Sequence, residues 1–387
     1  MNFEKLNFDI KLQKKVCEFG FKNLTLIQEK CIPDILKGKD VAGQAETGSG
    51  KTLAFCLPIL NMIKPNNGLQ VLILTPTREL CIQVSDVFKD FGKNLGIKTT
   101  DIYGGVNIDL QIRNIINSNI IVATPGRLLD HISRKTIDFE NIRFLVLDET
   151  DKMLEMGFIK DVEKIIFNLP EDRQTLMFSA TISEDVYKIA KKHLNNPLMF
   201  RTKPHVDTDK LNQEYYDIYN QYDKFSLLLH LLKNSTSGLA IVFCATRKET
   251  DIVAKNLRRQ GINASEIHGG MKQNKRSKSL DSLKRQKTEV LVATDVAARG
   301  LDIKDVSHVY NYDVPKTPKE YIHRIGRTAR AGKHGVAVTL LTRRDHDNFR
   351  RVQSDDKLKI KKADFPKFNR VPFFRGYNRR RKQYMRT

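Results

Sequence analysis

An eight-residue segment near the N-terminus has the pattern of a phosphate-binding loop, formed by Ala45, Glu46, Thr47, Gly48, Ser49, Gly50, Lys51 and Thr52. In such a loop, backbone N–H groups surround the phosphates, the lysine reaches the outer phosphates and the threonine hydroxyl ligates magnesium. The positive end of the following helix adds to the anion site. A short strand at 40–42 and an apolar helix at 53–58 supply the required context. The segment predicts an α/β fold with a nucleotide site.

An adjacent pair of carboxylates, Asp148 and Glu149, follows an apolar run about a hundred residues later. Phosphoryl transfer needs a metal ion, an oriented water and neutralisation of developing charge. The pair could instead be the solvated start of a loop. Beside a phosphate loop in the same domain, the pair favours nucleoside triphosphate hydrolysis.

Short apolar runs alternate with longer helical patterns along the chain. This pattern indicates parallel sheets buried on both faces, and polar residues after each run should meet at the carboxyl edge of the sheet. The runs lie at 71–74, 120–123, 144–147, 176–178, 240–243 and 290–293. With 387 residues, the chain is long enough for two domains. We predict an N-terminal domain at 1–200, a linker at 201–212, a second domain at 213–355 and a basic tail at 356–387.

The net charge of +22 suits a polyanionic partner, nucleic acid before anionic membrane. The predicted tail holds twelve Lys and Arg against two Asp, interleaved with aromatic residues, and contains Arg379 to Lys382. This composition suits stacking on unpaired bases with phosphate contact. The alternative is a solvated extension that only aids solubility.

Other classes of protein are disfavoured by composition. No apolar run approaches the length of a membrane span, and the first residues lack a signal-peptide pattern, so we expect a cytoplasmic protein without a membrane partner. Five scattered cysteines, at 17, 31, 56, 81 and 244, argue against a disulfide framework or a zinc site.

The motifs together resemble those of the DEAD-box RNA helicases from Phe3 to about Leu341. Besides the phosphate loop and the carboxylate pair, the matching segments are 20–21 with 27–28, 76–80, 104–105, 124–127, 148–151, 179–181, 241–243, Gln273 with Arg276, 294–302 and 323–330. Phe3 lies 25 residues before Gln28. The sequence departs from the family at Thr150, where Ala is usual, and at Leu24, where Pro is usual. Both changes flank functional positions without removing a ligand.

The resemblance implies two tandem RecA-like domains, each a mostly parallel sheet with helices on both faces, that use ATP and Mg²⁺. Lys51 is then catalytic, Asp148 holds magnesium through its waters, with Thr52 as a further ligand, and Glu149 polarises the attacking water. The amide of Gln28 can donate and accept hydrogen bonds at one purine edge. The remaining implied nucleotide contacts are stacking by Phe3, a contact by Phe21 of the glutamine motif, and Asp302 at the ribose.

Arg327 and Arg330 resemble arginine fingers that the second domain delivers to the γ-phosphate. The alternative for this stretch, which includes Arg324, is a basic helix face. A finger is worth about 10³ to 10⁵ in rate, so the resemblance implies that hydrolysis waits for domain closure. His323 is implied to contact the region of Asp151 and residues 179–181.

The resemblance also implies a single-stranded or short-duplex RNA partner, held by its backbone with little base specificity. The matched positions are Arg78, Gly105, Thr124 and Arg127 in the first domain and Arg247, Gly270, Arg276 and Thr294 in the second. We expect an ATP-dependent RNA helicase that acts as a monomer, with ribosomal or RNA-decay proteins as candidate partners. The alternatives are an ATP-gated RNA clamp with slow turnover and, less favoured by the glutamine motif and residues 298–302, a DNA translocase.

Overall fold

The computed structural model describes residues 2–46, 48–202, 210–235, 238–298, 303, 306–329, 334–356 and 358–375. The chain divides into two compact units, Met1–His205 and Val206–Thr387. Strand residues occupy both ends of the predicted linker, because one strand ends at Arg201 and the next begins at Leu211. Residues 203–209 of that linker lie outside the described residues.

The first unit is built on a parallel sheet of seven strands in the order β3-β4-β2-β5-β6-β1-β7. The strands are β1 (Val41–Gln44), β2 (Val71–Leu74), β3 (Thr99–Ile102), β4 (Ile120–Ala123), β5 (Phe144–Leu147), β6 (Gln174–Ser179) and β7 (Leu198–Arg201). Alternate residues enter opposite hydrophobic cores: Ile73 packs on one face of β2, whereas Leu72 and Leu74 pack on the other. Burial on both faces explains why the central strands are continuous apolar runs.

Nine helices of the described part of this unit cover the sheet. They are α1 (Ile10–Glu18), α2 (Leu26–Leu36), α3 (Lys51–Met62), α4 (Arg78–Gly92), α5 (Ile108–Ile115), α6 (Pro125–Ser133), α7 (Thr150–Glu155), α8 (Ile159–Ile166) and α9 (Glu184–His193). Side chains at the N-caps fix several starts; the Thr77 hydroxyl accepts a hydrogen bond from the Leu80 N–H at 3.3 Å before α4.

The second unit contains another parallel seven-stranded sheet, in the order β10-β11-β9-β12-β13-β8-β14. Its strands are β8 (Leu211–Ile218), β9 (Leu239–Phe243), β10 (Ala264–Ile267), β11 (Val290–Ala293), β12 (Val306–Asn311), β13 (Gly335–Thr342) and β14 (Lys361–Lys362). Its helices are α10 (Asp223–Asn234), α11 (Arg247–Arg259), α12 (Gln273–Lys284), α13 (Asp295–Ala298), α14 (Pro318–Ile325) and α15 (His346–Gln353). All seven strands have the same relative order in the two units. The predicted fold of two tandem α/β domains is confirmed.

The C-terminal segment differs from the predicted separate tail. β14 pairs with β8, and Phe368, Val371 and Phe373 pack against the core of the second unit. Residues 358–375 therefore belong to this unit, and the prediction of a separate tail is wrong for them. The remaining tail, 376–387, lies outside the described residues. Within the described parts of both units, no helix has the length and apolar character that crossing a bilayer requires.

Candidate functional site

The phosphate loop joins β1 to α3 and depends on two glycines with left-handed backbone. Gly48 has φ of 85° and Gly50 has φ of 92°, values that residues other than glycine rarely adopt. A Cβ atom on Gly50 would also lie 2.5 Å from Nε2 of Gln28. Conformation and space therefore both require glycine directly before α3. Thr47 lies outside the described residues.

Hydrogen bonds inside the loop hold its two ends together. The Lys51 ammonium is buried and donates to the Ala45 carbonyl at 2.7 Å. The Ser49 hydroxyl donates to the Glu46 carbonyl at 2.6 Å. Thr52 follows in the first turn of α3. The structure brings the described residues of the predicted loop into one compact turn.

Asp148 follows β5 and lies almost completely buried in the first unit. Burial raises the pKa of its carboxyl group to about 7, against the opposing charge of Lys51 and with a further increase from Glu149. Asp148 Oδ1 accepts a hydrogen bond from the Glu149 N–H at 2.9 Å. A cation bound nearby would lower the pKa of this carboxyl group, because the cation stabilises the ionised form.

Glu149 has φ of 52° and ψ of 49°, in the left-handed region. Such a backbone costs about 1–3 kcal/mol for a residue other than glycine, and strain of this kind concentrates at functional sites. One oxygen of its buried carboxylate lies 2.7 Å from Nζ of Lys152. The left-handed backbone therefore marks Glu149 as a candidate functional residue.

Asp151 connects the segments that follow β5 and β6. Its Oδ2 accepts hydrogen bonds from the N–H and the hydroxyl of Thr181, both at 3.0 Å, and its N–H donates to the Ser179 hydroxyl at 3.2 Å. Burial alone would raise the pKa of Asp151, but Lys51, Lys152 and these hydrogen bonds together lower it. Asp151 therefore remains ionised beside Asp148, whose pKa is raised.

Gln28 in α2 contacts the phosphate loop directly. Its Nε2 donates to the Gly50 carbonyl at 3.1 Å, and its Oε1 accepts from the Thr25 N–H at 2.9 Å. Phe3 is only 5% exposed and packs in the core, whereas Phe21 is 40% exposed. The accessible ring of this pair is therefore Phe21, and the arrangement does not favour stacking of a ligand on Phe3.

Predicted RNA-binding residues of the first unit lie together at one half of the carboxyl edge. Arg78 follows β2, Gly105 follows β3 and Thr124 follows β4, and these three strands are neighbours in the sheet. A Cβ atom on Gly105 would lie 2.6 Å from Nη1 of Arg78. Arg127 donates to the carbonyl of Val106 at 3.1 Å and therefore supports the glycine loop. The phosphate loop and Asp148 follow β1 and β5, and Ser179 ends β6, in the other half of the sheet.

The second unit repeats this arrangement at β10, β11 and β9, which are also neighbours. Arg247 begins α11 after β9, Gly270 follows β10 and Thr294 follows β11. A Cβ atom on Gly270 would lie 3.2 Å from Cδ of Arg247. Arg276 lies in α12 and is largely buried. Each unit thus packs an arginine from the start of a helix beneath a glycine loop.

Arg324 is buried within the second unit, so it does not form part of a solvated basic helix face. Its guanidinium contacts the Asp295 carboxylate through two bonds, Nε–Oδ1 at 2.6 Å and Nη2–Oδ2 at 2.7 Å. Nη1 also donates to Asn311 Oδ1 at 3.1 Å. His323 precedes it in α14, and Arg327 follows that helix and is buried. The finger and contact roles predicted for these residues stay predictions. Arg330 and Asp302 lie outside the described residues.

Sequence reasoning missed a second buried charge in this unit. The ammonium of Lys224 lies 3.3 Å from Asp313 and 3.4 Å from Asp345. Asp313 Oδ2 also accepts from the Ala245 N–H at 2.9 Å. The only sequence signal was the position of Lys224 at the start of an apolar helical pattern.

The described residues contain no cluster of three or more His, Cys, Asp or Glu side chains suited to a metal ion. Magnesium is usually held by one or two carboxylates together with substrate phosphates and water. A buried carboxyl group with a raised pKa, Asp148, and the Thr52 hydroxyl of the loop fit that manner of binding.

Family comparisons cover most of both units. A family described as DEAD/DEAH box helicase matches residues 25–189, and one described as helicase conserved C-terminal domain matches residues 223–332. The chain is 44% identical over 368 residues to the DEAD-box ATP-dependent RNA helicase CshA of Bacillus subtilis, covering 95% of this chain and 74% of that protein. It is 43% identical over 362 residues to the ATP-dependent RNA helicase CshA of Limosilactobacillus reuteri, covering 93% and 73%.

Solved structures show the same fold. Dbp5 of S. cerevisiae bound to RNA and ADP BeF3 matches with a TM-score of 0.85 and 32% identity, over 94% of this chain and 95% of that one. Mss116p bound to ssRNA and AMP-PNP matches with a TM-score of 0.82 and 28% identity, over 95% and 80%. The resemblance drawn from the sequence motifs is confirmed by these comparisons.

Proposed function

The chain belongs to the DEAD-box family of ATP-dependent RNA helicases, and on that basis we propose that it hydrolyses ATP on binding RNA and locally separates short RNA duplexes. The observation that carries this proposal is the arrangement of the phosphate loop. Lys51 lies close enough to influence both Asp148 and Asp151 electrostatically. Phosphate binding and the carboxylates of hydrolysis thus lie within one buried network.

ATP phosphates would replace the internal partner of Lys51. The ammonium now donates to the Ala45 carbonyl, and it is placed to exchange that bond for the outer phosphates of the nucleotide. Backbone N–H groups around Gly48 and Gly50 then bind the phosphate oxygens. Gln28 couples this loop to α2 and the segment preceding it, because it contacts both Gly50 and Thr25.

We propose that Thr52 and Asp148 hold Mg²⁺ with the nucleotide. Bound magnesium would neutralise charge that develops on the transferred phosphoryl group. Glu149 is the residue that orients the attacking water and accepts its proton. Its pairing with Lys152 holds the carboxylate in one direction before substrate arrives.

RNA binding is assigned to the glycine and arginine segments of each unit. Backbone N–H groups, hydroxyls and guanidinium groups bind phosphates and 2′-hydroxyls without reading base edges, so the proposed affinity has little sequence specificity. Dbp5 and Mss116p, which match this chain, are bound to RNA in their structures. We further propose a cytoplasmic monomer whose protein partners belong to ribosomes or to RNA decay.

Strand displacement tests the proposed function. The full chain should release a labelled strand from a short RNA duplex when ATP is present, and Glu149→Gln should release none. An RNA-DNA or DNA duplex of equal length serves as a substrate control. ATP hydrolysis that RNA stimulates without any strand release would instead identify an ATP-gated RNA clamp.

A further inference from the structure

Residues 358–375, here called the strap, lie across the core of the second unit. The strap starts beside β8, where the Ala363 N–H donates to the Tyr215 carbonyl at 2.9 Å. It then packs Phe368 beside His230 and Phe373 against Phe225, with ring centroids 5.9 and 4.8 Å apart. The strap is therefore a fixed part of the folded unit.

Polar contacts fix the path of the strap between these rings. Arg370 pairs with Asp223 through Nε–Oδ1 at 2.5 Å and Nη2–Oδ2 at 3.0 Å. The Val371 N–H donates to the Ser226 hydroxyl at 3.0 Å. These contacts act on the main chain and on Arg370, so they set the position of the residues that follow.

The main chain of Phe374 is held by a buried amide. Asn256 of α11 accepts from the Phe374 N–H and donates to the Phe374 carbonyl, both at 2.9 Å. Asn256 is 2% exposed, whereas the Phe374 side chain remains 54% exposed. Phe373 turns into the core and Phe374 turns out, as expected for extended chain. The main chain that carries this outward phenyl ring is thus fixed by a buried side chain.

Positive charge lies beside the exposed ring. The Arg259 guanidinium lies 4.6 Å from the centroid of Phe374. Lys255 precedes Arg259 by one helical turn and shares its face of α11. The Arg375 guanidinium lies 5.9 Å from the centroid of the inward Phe373 instead. The strap itself carries six Lys and Arg and one Asp. We call Lys255, Arg259 and Phe374 the platform.

We propose that the platform is a second RNA-binding site, which takes a single-stranded segment by stacking a base on Phe374 and contacting its phosphates with Arg259 and Lys255. Aromatic faces among cations are the means by which proteins bind single strands without reading sequence. Because the backbone of Phe374 is already fixed, base stacking on its ring requires no ordering of the main chain.

The platform lies apart from the RNA-binding segments assigned above. It lies on α11 near its C-terminal end, whereas Arg247 begins that helix at the carboxyl edge of the sheet. All three platform residues belong to one unit. We therefore expect the platform to bind RNA without nucleotide. The inference rests on the proposed function only in taking RNA as the polyanion.

RNA affinity of the full, nucleotide-free chain tests the platform. The probe is a labelled single strand of about 40 nucleotides, long enough for several binding sites of the usual size. Phe374→Ala should raise the Kd by about 5-fold to 100-fold, the range that loss of one base stack produces. Phe374→Tyr keeps an aromatic face and should bind within about twofold of the unchanged chain.

Two matched variants separate stacking from general surface effects. Phe167→Ala removes another exposed phenylalanine, 91% exposed and in the first unit, and should leave the Kd unchanged. The double variant Lys255→Gln/Arg259→Gln should reduce the slope of log Kd against log salt by about 1.4, since each phosphate contact on a single strand contributes about 0.7. Should Phe374→Ala fail to fold, the salt slope of this double variant still decides the matter.

Other results would overturn the platform. Equal RNA affinity of Phe374→Ala and Phe167→Ala, with an unchanged salt slope in Lys255→Gln/Arg259→Gln, would refute the platform. Loss of binding to anionic lipid vesicles in Phe374→Ala, with RNA affinity intact, would assign the surface to a membrane. A chain without RNA-stimulated ATPase but with the predicted Kd changes would keep the platform and refute only the proposed function.

Discussion

Replacement of Gly50 by alanine tests how strictly the phosphate loop depends on its backbone. The φ of 92° at Gly50 is expected to cost a residue with a side chain about 1–2 kcal/mol. The new Cβ would lie 2.5 Å from Gln28 Nε2, so Gln28 must turn away and lose its 3.1 Å bond to the Gly50 carbonyl. A buried amide without a partner costs about 1–3 kcal/mol. Gly50→Ala should therefore destabilise the first unit by about 2–5 kcal/mol.

A double-mutant cycle separates these two contributions. The free energies of unfolding of Gly50→Ala, Gln28→Ala and the double variant are measured by urea denaturation of the full chain. In the Gln28→Ala background the clash is gone, so the Gly50→Ala penalty should fall to the backbone part of about 1–2 kcal/mol. Gly126→Ala is the control, since a Cβ there meets nothing within 4 Å. An unchanged Gly50→Ala penalty in the Gln28→Ala background would refute the reasoning.

Three further predictions concern the charged groups. Lys51→Ala should weaken ATP binding, whereas Glu149→Gln should retain ATP and hold RNA without hydrolysis; equal RNA retention by both variants in ATP would contradict these roles. Arg324→Ala should destabilise the second unit by about 1–3 kcal/mol, because buried Asn311 and partly buried Asp295 lose their common hydrogen-bond partner; a loss under about 0.5 kcal/mol in urea denaturation would contradict this role of Arg324. In the nucleotide-free chain, the raised pKa of Asp148 means that the folded state binds the extra proton between about pH 4 and 7, so stability from this group falls as pH rises through that window. Asp148→Asn should remove that part of the pH dependence of thermal unfolding, and an identical pH profile would argue against the raised pKa.

The phosphate loop and the strands were predictable because local chemistry determines them. The left-handed backbone of the loop requires Gly48 and Gly50, and the motif already shows glycine at these two positions. The central strands are apolar on both faces, which distinguishes them from surface elements. Their order in the sheet places Arg78, Gly105 and Thr124 together, as expected for polar segments that follow parallel strands.

The strap was not predictable, because its sequence pattern has two physical explanations. Aromatic residues among cations suit an RNA-binding tail, and they equally suit an extended segment whose rings alternate between core and solvent. Phe373 packs inward and Phe374 points outward, although the two residues are adjacent and lie in the same sequence context. Only the partner surface, including the Asn256 amide, decides between these states, and Asn256 lies more than a hundred residues earlier.

Burial of charge was equally hidden from the sequence. Arg324 lies among other basic residues, and its neighbours resemble a solvated helix face. Its actual partner, Asp295, follows a different strand and is brought close by the order of β11, β9 and β12. Phe3 shows the converse. The sequence predicts that its ring stacks on the nucleotide, but the ring packs in the hydrophobic core.

ATP turnover by the full chain, measured with and without single-stranded RNA, tests the central claim most directly. The phosphate loop, Asp148 and Glu149 predict hydrolysis that RNA increases strongly, and Glu149→Gln should abolish hydrolysis while ATP still binds. Hydrolysis that is indifferent to RNA, or that persists in Glu149→Gln, would contradict the account of this chain as an RNA-stimulated ATPase.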